Sequence, residues 1–193
     1  MTVPTIDHRL QALEELKWHV GNSPMHYLAR LSPKPGVEIH VKLEWQQFGG
    51  SVKARPAFNI IHDAVVSGAL RSRRLLDATS GNTGVAYAIF AAAAGIPVTL
   101  CLPENASKER KHILRALGVD IRFTSPFEGT DGAQAEAREL VMKQPEKFCY
   151  VDQYGNDANW KAHYYGTGLE VWNETGGRIT HFIAGLGTTG TFM

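Results

Sequence analysis

Lys53 lies in Phe48-Gly49-Gly50-Ser51-Val52-Lys53-Ala54-Arg55, behind a glycine-serine turn and at the head of an apolar, helix-like segment. A lysine so placed is partly desolvated, which lowers its ammonium pKa and frees a neutral amine to attack a carbonyl. Any single lysine is more simply a solvated surface charge. Two further segments shift that balance: Thr79-Ser80-Gly81-Asn82-Thr83-Gly84 and Gly187-Thr188-Thr189-Gly190-Thr191. In the first, backbone amides and the Ser80 and Thr83 hydroxyls suit a substrate carboxylate, and Asn82 adds a donor for a phenolic oxygen. A plain capped glycine turn is its simpler alternative. In the second, two glycines permit close backbone approach and three threonine hydroxyls suit phosphate oxygens. Gln153 either reaches the same mouth or is a surface glutamine. Together the three segments point to a covalently held aldehyde cofactor that carries a phosphate.

Such residues need a scaffold, and the pattern from residue 54 onward provides one. Helices are predicted over 56–69, 83–94, 107–117 and 130–143, and strands over 75–79, 97–102, 119–124 and 148–151. Gly95 and Gly118 stand where helices would close. Strand-helix alternation of this kind predicts an α/β fold with an open, mostly parallel sheet covered on both faces. In such sheets ligands collect beyond the carboxyl ends of the strands, where 79–84 falls. Outside this block, a turn at Pro33-Lys34-Pro35-Gly36 precedes a strand over 37–43. A helix over 158–172, a turn at Thr175-Gly176-Gly177 and a strand over 180–184 lead into the threonine loop. That loop reads as a strand-to-helix turn with almost nothing behind it, so the sequence is expected to be a fragment of a longer protein.

The 193 residues include 20 basic and 19 acidic ones, a balance that offers no support for a nucleic-acid partner. The basic cluster Arg71, Arg73 and Arg74 has no interleaved aromatics and reads as a solvated face. Cys101 and Cys149 are far apart, and Cys101 lies in a strand-like apolar run that predicts burial. The eight histidines are scattered without a metal-ligand pattern, so no metal is expected. No apolar run is long enough to span a bilayer, Val85 to Ala94 ending at Gly95, and the first ten residues lack the core of a signal peptide. A cytoplasmic enzyme is the expectation.

The order Gly-Ser-Val-Lys, Thr-Ser-Gly-Asn-Thr-Gly, Gly-Thr-Thr-Gly-Thr resembles the pyridoxal-phosphate enzymes of the cysteine synthase family. The resemblance runs from Gly21-Asn22-Ser23-Pro24 to the end. It includes Leu102-Pro103-Glu104-Asn105, Asp152-Gln153-Tyr154 and Thr175-Gly176-Gly177-Arg178-Ile179-Thr180-His181-Phe182, and is nearest to the cysteine synthase B subgroup. It implies the two-domain, tryptophan synthase β-like fold (fold type II). Residues 46–152 would form the smaller, mobile substrate-carboxylate domain, and 1–45 with 153–193 an incomplete larger domain. It implies Lys53 as Schiff-base lysine and general base, and Asn82 at the cofactor ring oxygen. Thr79, Ser80, Gly81, Thr83 and Gln153 would grip the amino-acid carboxylate, and Gly187, Thr188, Thr189, Gly190 and Thr191 would cradle the phosphate. Ala54 departs from the family, which usually has aspartate there.

The implied activity is β-replacement: L-cysteine from O-acetylserine or O-phosphoserine and sulfide or a related sulfur donor. The cofactor is pyridoxal 5'-phosphate. The implied partners are these small molecules, a second copy in a homodimer, and the tail of a serine acetyltransferase. Cystathionine β-synthase activity, or a fragment retaining only partner binding, remain the alternatives.

Overall fold

The computed structural model describes residues 7–32 and 34–193; Pro33 of the predicted turn and the first six residues lie outside them. Helix α1, His8–Leu16, starts where the Asp7 carboxylate accepts from the Arg9 amide at 3.0 Å. No sequence pattern had marked it. Two short strands, β1 (Met25–Tyr27) and β2 (His40–Lys42), pair antiparallel, so the predicted 37–43 strand is shorter than expected.

The main body alternates as predicted, with shifts of one to three residues at the ends. Its elements are α2 (Ala54–Val66), β3 (Arg74–Ala78), α3 (Asn82–Ala93), β4 (Val98–Pro103), α4 (Lys108–Ala116), β5 (Asp120–Thr124), α5 (Gly129–Lys143) and β6 (Phe148–Tyr150). The four strands form one parallel sheet in the order β5-β4-β3-β6. The chain builds outward from β3 through β4 to β5, then returns to place β6 on the other side of β3. The loops after β3 and β6 therefore flank a topological switch point, where ligands bind in sheets of this kind.

Alternation in β3 assigns its two faces. Leu75 joins Ile60, Phe90, Leu100 and Leu102 in the larger core beneath α1 to α4, while Leu76 and Ala78 join Cys101, Ala133, Ala137 and Phe148 under α5. Cys101 is fully buried, as its apolar run predicted.

Beyond β6 two expectations need correction. The helix predicted over 158–172 is three pieces: α6 (Asp157–Ala162), a π-helical turn (His163–Thr167) and α7 (Gly168–Glu174). The widened turn coincides with the inward-facing His163 and Thr167, both buried. The predicted strand over 180–184 joins no ladder, and Ile183 is 93% exposed. Apolar, β-branched residues are a strand only when a neighbour takes up their amides and carbonyls, and none among the described residues does so.

Candidate active site

Lys53 is the residue before α2. The chain reaches it through Gly49 and Gly50, whose φ angles of +92° and +74° suit glycine. The Lys53 amide donates to Ser51 Oγ at 3.3 Å. Pro56 occupies the first helical turn, where no backbone donor is needed. Lys53 is half-buried, and burial alone lowers its pKa; its Nζ has no hydrogen-bond or ion-pair partner among the described residues. An amine so placed is committed to no salt bridge, and its neutral form is favoured.

The next charged residue, Arg55, is handled differently. It is 3% exposed and grips two carboxylates: Nε and Nη2 each donate to Glu44 at 2.8 Å, and Nη1 and Nη2 donate to Glu170 at 2.6 and 2.7 Å. Ser23 Oγ accepts a fifth bond at 3.2 Å. Glu170 also accepts from the Asn22 amide at 3.0 Å and pairs with Lys42 at 2.9 Å. Despite burial, which opposes it, the Arg55, Asn22 and Lys42 donors hold the Glu170 carboxyl down at about 2. The Gly21-Asn22-Ser23 motif thus anchors this network, and a Cβ on Gly21 would stand 2.9 Å from Glu170 Oε1.

The loop after β3 leads into α3 with no side-chain cap, leaving the first amides of a twelve-residue helix available to an anion. Asn82 is the exposed first residue of α3, Thr79 and Thr83 are buried, and Ser80 and Gly81 are half-buried. Thr79 Oγ1 accepts from the Gly81 amide at 3.2 Å, and Arg110 donates to the Ser80 carbonyl at 3.1 Å. At Gly84 a Cβ would meet Thr79 Cγ2 at 3.0 Å and Leu100 Cδ1 at 3.1 Å, so glycine lets α3 pack tightly against the sheet.

Across the switch point, Gln153 is buried. Its Nε2 donates to the Ala78 carbonyl at 2.9 Å and its amide to Asp77 at 3.2 Å. Residue 153 is therefore latched to the end of β3. Asp77 is itself buried, which pushes its carboxyl up to about 7 against the amide donors from Ala78 and Gln153.

The threonine loop is a series of turns with Thr189 at φ +65°. It packs on α6 and the π turn: Asn159 Nδ2 donates to Thr188 Oγ1 at 2.9 Å, and Thr191 Oγ1 lies 3.5 Å from His163 Nε2. A Cβ on Gly190 would fall 2.2 Å from Asn159 Oδ1, so any side chain there requires the loop or the carboxamide to shift. His163, 4% exposed, pairs through Nδ1 with Thr167 at 3.0 Å. Burial, with the nearby Lys53 and Arg55 charges, pushes its pKa down to about 4, so the ring is neutral at pH 7. Lys53 and Arg55 are thus the positive charges that His163 senses, and Thr191 is its neighbour in the threonine loop.

The structure thus links His163 to the threonine loop through Thr191, and Gln153 to both Ala78 and, through Asn159, Thr188. Asn82 makes no side-chain hydrogen bond to either group among the described residues. His163, Asn159, Asp77 and Arg55 were not singled out from the sequence. Asp77 alone carries a local mark, an acid inside the apolar strand Leu75-Leu76-Asp77-Ala78. These surroundings fit an aldehyde that carries a phosphate: an unpaired, desolvated amine, a hydroxyl-rich loop packed closely on Asn159 at Gly190, and an uncapped helix N-terminus.

Comparison with known proteins agrees. Residues 16–193 match the family described as pyridoxal-phosphate dependent enzymes, and the chain belongs to that family. It is 51% identical over 187 residues to cysteine synthase from Aquifex aeolicus, covering 95% of this chain and 57% of that one. It is 41% identical over 180 residues to cysteine synthase B from Escherichia coli K12, covering 93% and 59%. The crystal structure of cysteine synthase from Entamoeba histolytica superposes with a TM-score of 0.85 at 32% identity, covering 99% of this chain and 56% of that one. The fold is that of the tryptophan synthase β-like enzymes, of which this chain spans little more than half the length of the relatives it matches.

Proposed function

We propose that this chain carries the reactive lysine and the cofactor and substrate loops of a cysteine synthase, which makes L-cysteine from an O-activated serine and sulfide or a related donor. The observation that carries this reading is Lys53: half-buried, without a counter-charge, and set at the head of α2 behind the Gly49-Gly50 turn. Pyridoxal phosphate would supply the aldehyde and the electron sink. Lys53 would hold it covalently, then as a neutral amine take the α-proton of the substrate; desolvation favours that neutral form. Gly187 to Thr191 would bind the phosphate, and Asn82 the ring oxygen. Thr79, Ser80, Gly81, Thr83 and the α3 amides would hold the carboxylate, with Gln153 bracing the loop from beneath. A neutral His163 would keep a second positive charge away from Lys53.

The two activated serines, O-acetylserine and O-phosphoserine, both fit this reading, and a homodimer and a serine acetyltransferase tail are its partners. Residues 46–152 would close on the substrate. Arg55, bonded to Glu44 and Glu170, ties the start of that unit to its flanks, so closure would pivot near Lys53.

The test is covalent capture. Incubation with pyridoxal phosphate and reduction with borohydride should add one pyridoxyl group, mapped by peptide mass to Lys53, and Lys53→Ala should remove it. Labelling spread over surface lysines would refute the assignment. Product analysis with each activated serine, with sulfide and then with homocysteine, identifies leaving group and acceptor.

A further inference from the structure

We infer that Asn159 is a positioning residue that couples the threonine loop to the Gln153 segment, so that occupancy of one proposed subsite tightens the other. The inference deepens the function proposed above and rests on it. Asn159 is 5% exposed. Its Nδ2 donates in two directions, to the Gln153 carbonyl at 2.6 Å and to Thr188 Oγ1 at 2.9 Å. No other side chain among the described residues bonds both segments. Its Oδ1 is buried without a donor and lies against Gly190. An orphaned buried acceptor is costly, so the carboxamide is held in place by what its two N–H groups do.

The path continues without a gap. Gln153 donates through its amide to Asp77 and through Nε2 to the Ala78 carbonyl, and Thr79 follows directly in the chain. A hydroxyl that turns toward a phosphate thus shares a rigid amide with the segment that braces the carboxylate loop. Coupling carried by such a link is reciprocal: whatever fixes Thr188 fixes Gln153, and the reverse.

Hydrogen exchange followed by mass spectrometry tests the link without requiring activity. In the ligand-free chain, Thr188→Ala should speed exchange of the Phe192 amide, which bonds to the Thr189 carbonyl, and also of the bonded amides in 153–156 by roughly tenfold, the scale of one lost buried hydrogen bond. The amides of β4 should not change. Faster exchange confined to Phe192 would overturn the inference. Asn159→Asp, which keeps shape but replaces both donors with an acceptor, should loosen both segments together; if it unfolds the chain, exposing β4 as well, Thr188→Ala decides alone. Added pyridoxal phosphate should slow exchange in both segments of the unsubstituted chain, but only in 187–191 of Asn159→Asp. If the unsubstituted chain takes up no pyridoxal phosphate, the proposed function fails, while the ligand-free comparison still decides whether Asn159 couples the two segments.

Discussion

Lys53 and Arg55 stand side by side at the start of α2, and the fold treats their charges in opposite ways. Arg55 is nearly inaccessible and meets four carboxylate bonds and a hydroxyl; Lys53 is half-buried and meets none. The first arrangement suits an invariant strut, because a guanidinium forked between two carboxylates has one geometry and one charge state. The second leaves an amine whose protonation is cheap to change. His163 and Asp77 belong with Lys53: each is buried without an opposite charge in contact, and each is displaced toward its neutral form. Groups displaced toward neutrality are common where chemistry occurs, whereas a satisfied network such as that of Arg55 is common in structural support.

Breaking the support should cost most. Arg55→Met leaves Glu44 and Glu170 buried without their main partner and should lower stability by about 3–5 kcal/mol, the usual range for removing one member of a buried pair. Urea denaturation at neutral pH measures it. A loss below about 1 kcal/mol would mean that Lys42 and solvent satisfy Glu170 unaided, and that the strut is no strut.

The titrating side gives the next effect. Because His163 has a folded pKa of about 4, below the ordinary 6.5, it resists protonation that the unfolded chain accepts. Its contribution is full above pH 6.5 and is lost as pH falls through 4, in all roughly 3 kcal/mol. Asp77 runs the other way. Its folded value of about 7 lies above 3.8, so stability is gained as pH falls across that window. The two slopes offset each other in the intact chain. Stability of His163→Gln should therefore improve relative to the unsubstituted chain between pH 7 and pH 4.5; parallel curves would show that the ring is not held neutral by the fold.

Gly190→Ala tests the loop itself. Its Cβ would sit 2.2 Å from Asn159 Oδ1, so loop or carboxamide must move, at about 1–3 kcal/mol for an overpacked site. Pyridoxal phosphate affinity, measured by absorbance titration, should fall with it. Unchanged affinity would remove the threonine loop from the proposed phosphate site.

Which of these residues could be seen in the sequence follows from the range of the interactions that fix them. Helix and strand periods and glycine stops are local, and the parallel sheet was legible from 54 to 151 with small errors at the ends. Lys53, the 79–84 turn and the threonine loop could be singled out as candidates, because glycines and hydroxyls cluster within a few residues. The rest depends on distant partners. Nothing near Thr180 says that the segment will lack a neighbouring strand, and nothing near His163 separates it from seven other histidines. Arg55 meets Glu170 across 115 positions, and Asn159 meets Thr188 across 29. Only folding makes those pairs.

The smallest expected change in stability is also the sharpest test of the contrast. Lys53→Met keeps the length of the side chain and removes an amine that has no partner to lose, so stability at pH 7 should shift by no more than about 1 kcal/mol. A slight gain is the expected direction, since burial disfavours the ammonium. The pH dependence follows the same sign. With its folded pKa depressed, Lys53 adds stability as pH rises through the folded value toward the ordinary lysine value, and Lys53→Met should lack that rise. Urea midpoints at pH 7 and pH 10 for both chains read it directly, alongside loss of the borohydride-fixed pyridoxyl group. A large destabilisation at pH 7 would mean that Lys53, like Arg55, is a structural charge with a partner. Labelling lost at almost no cost in stability would identify an amine kept for reaction rather than for the fold.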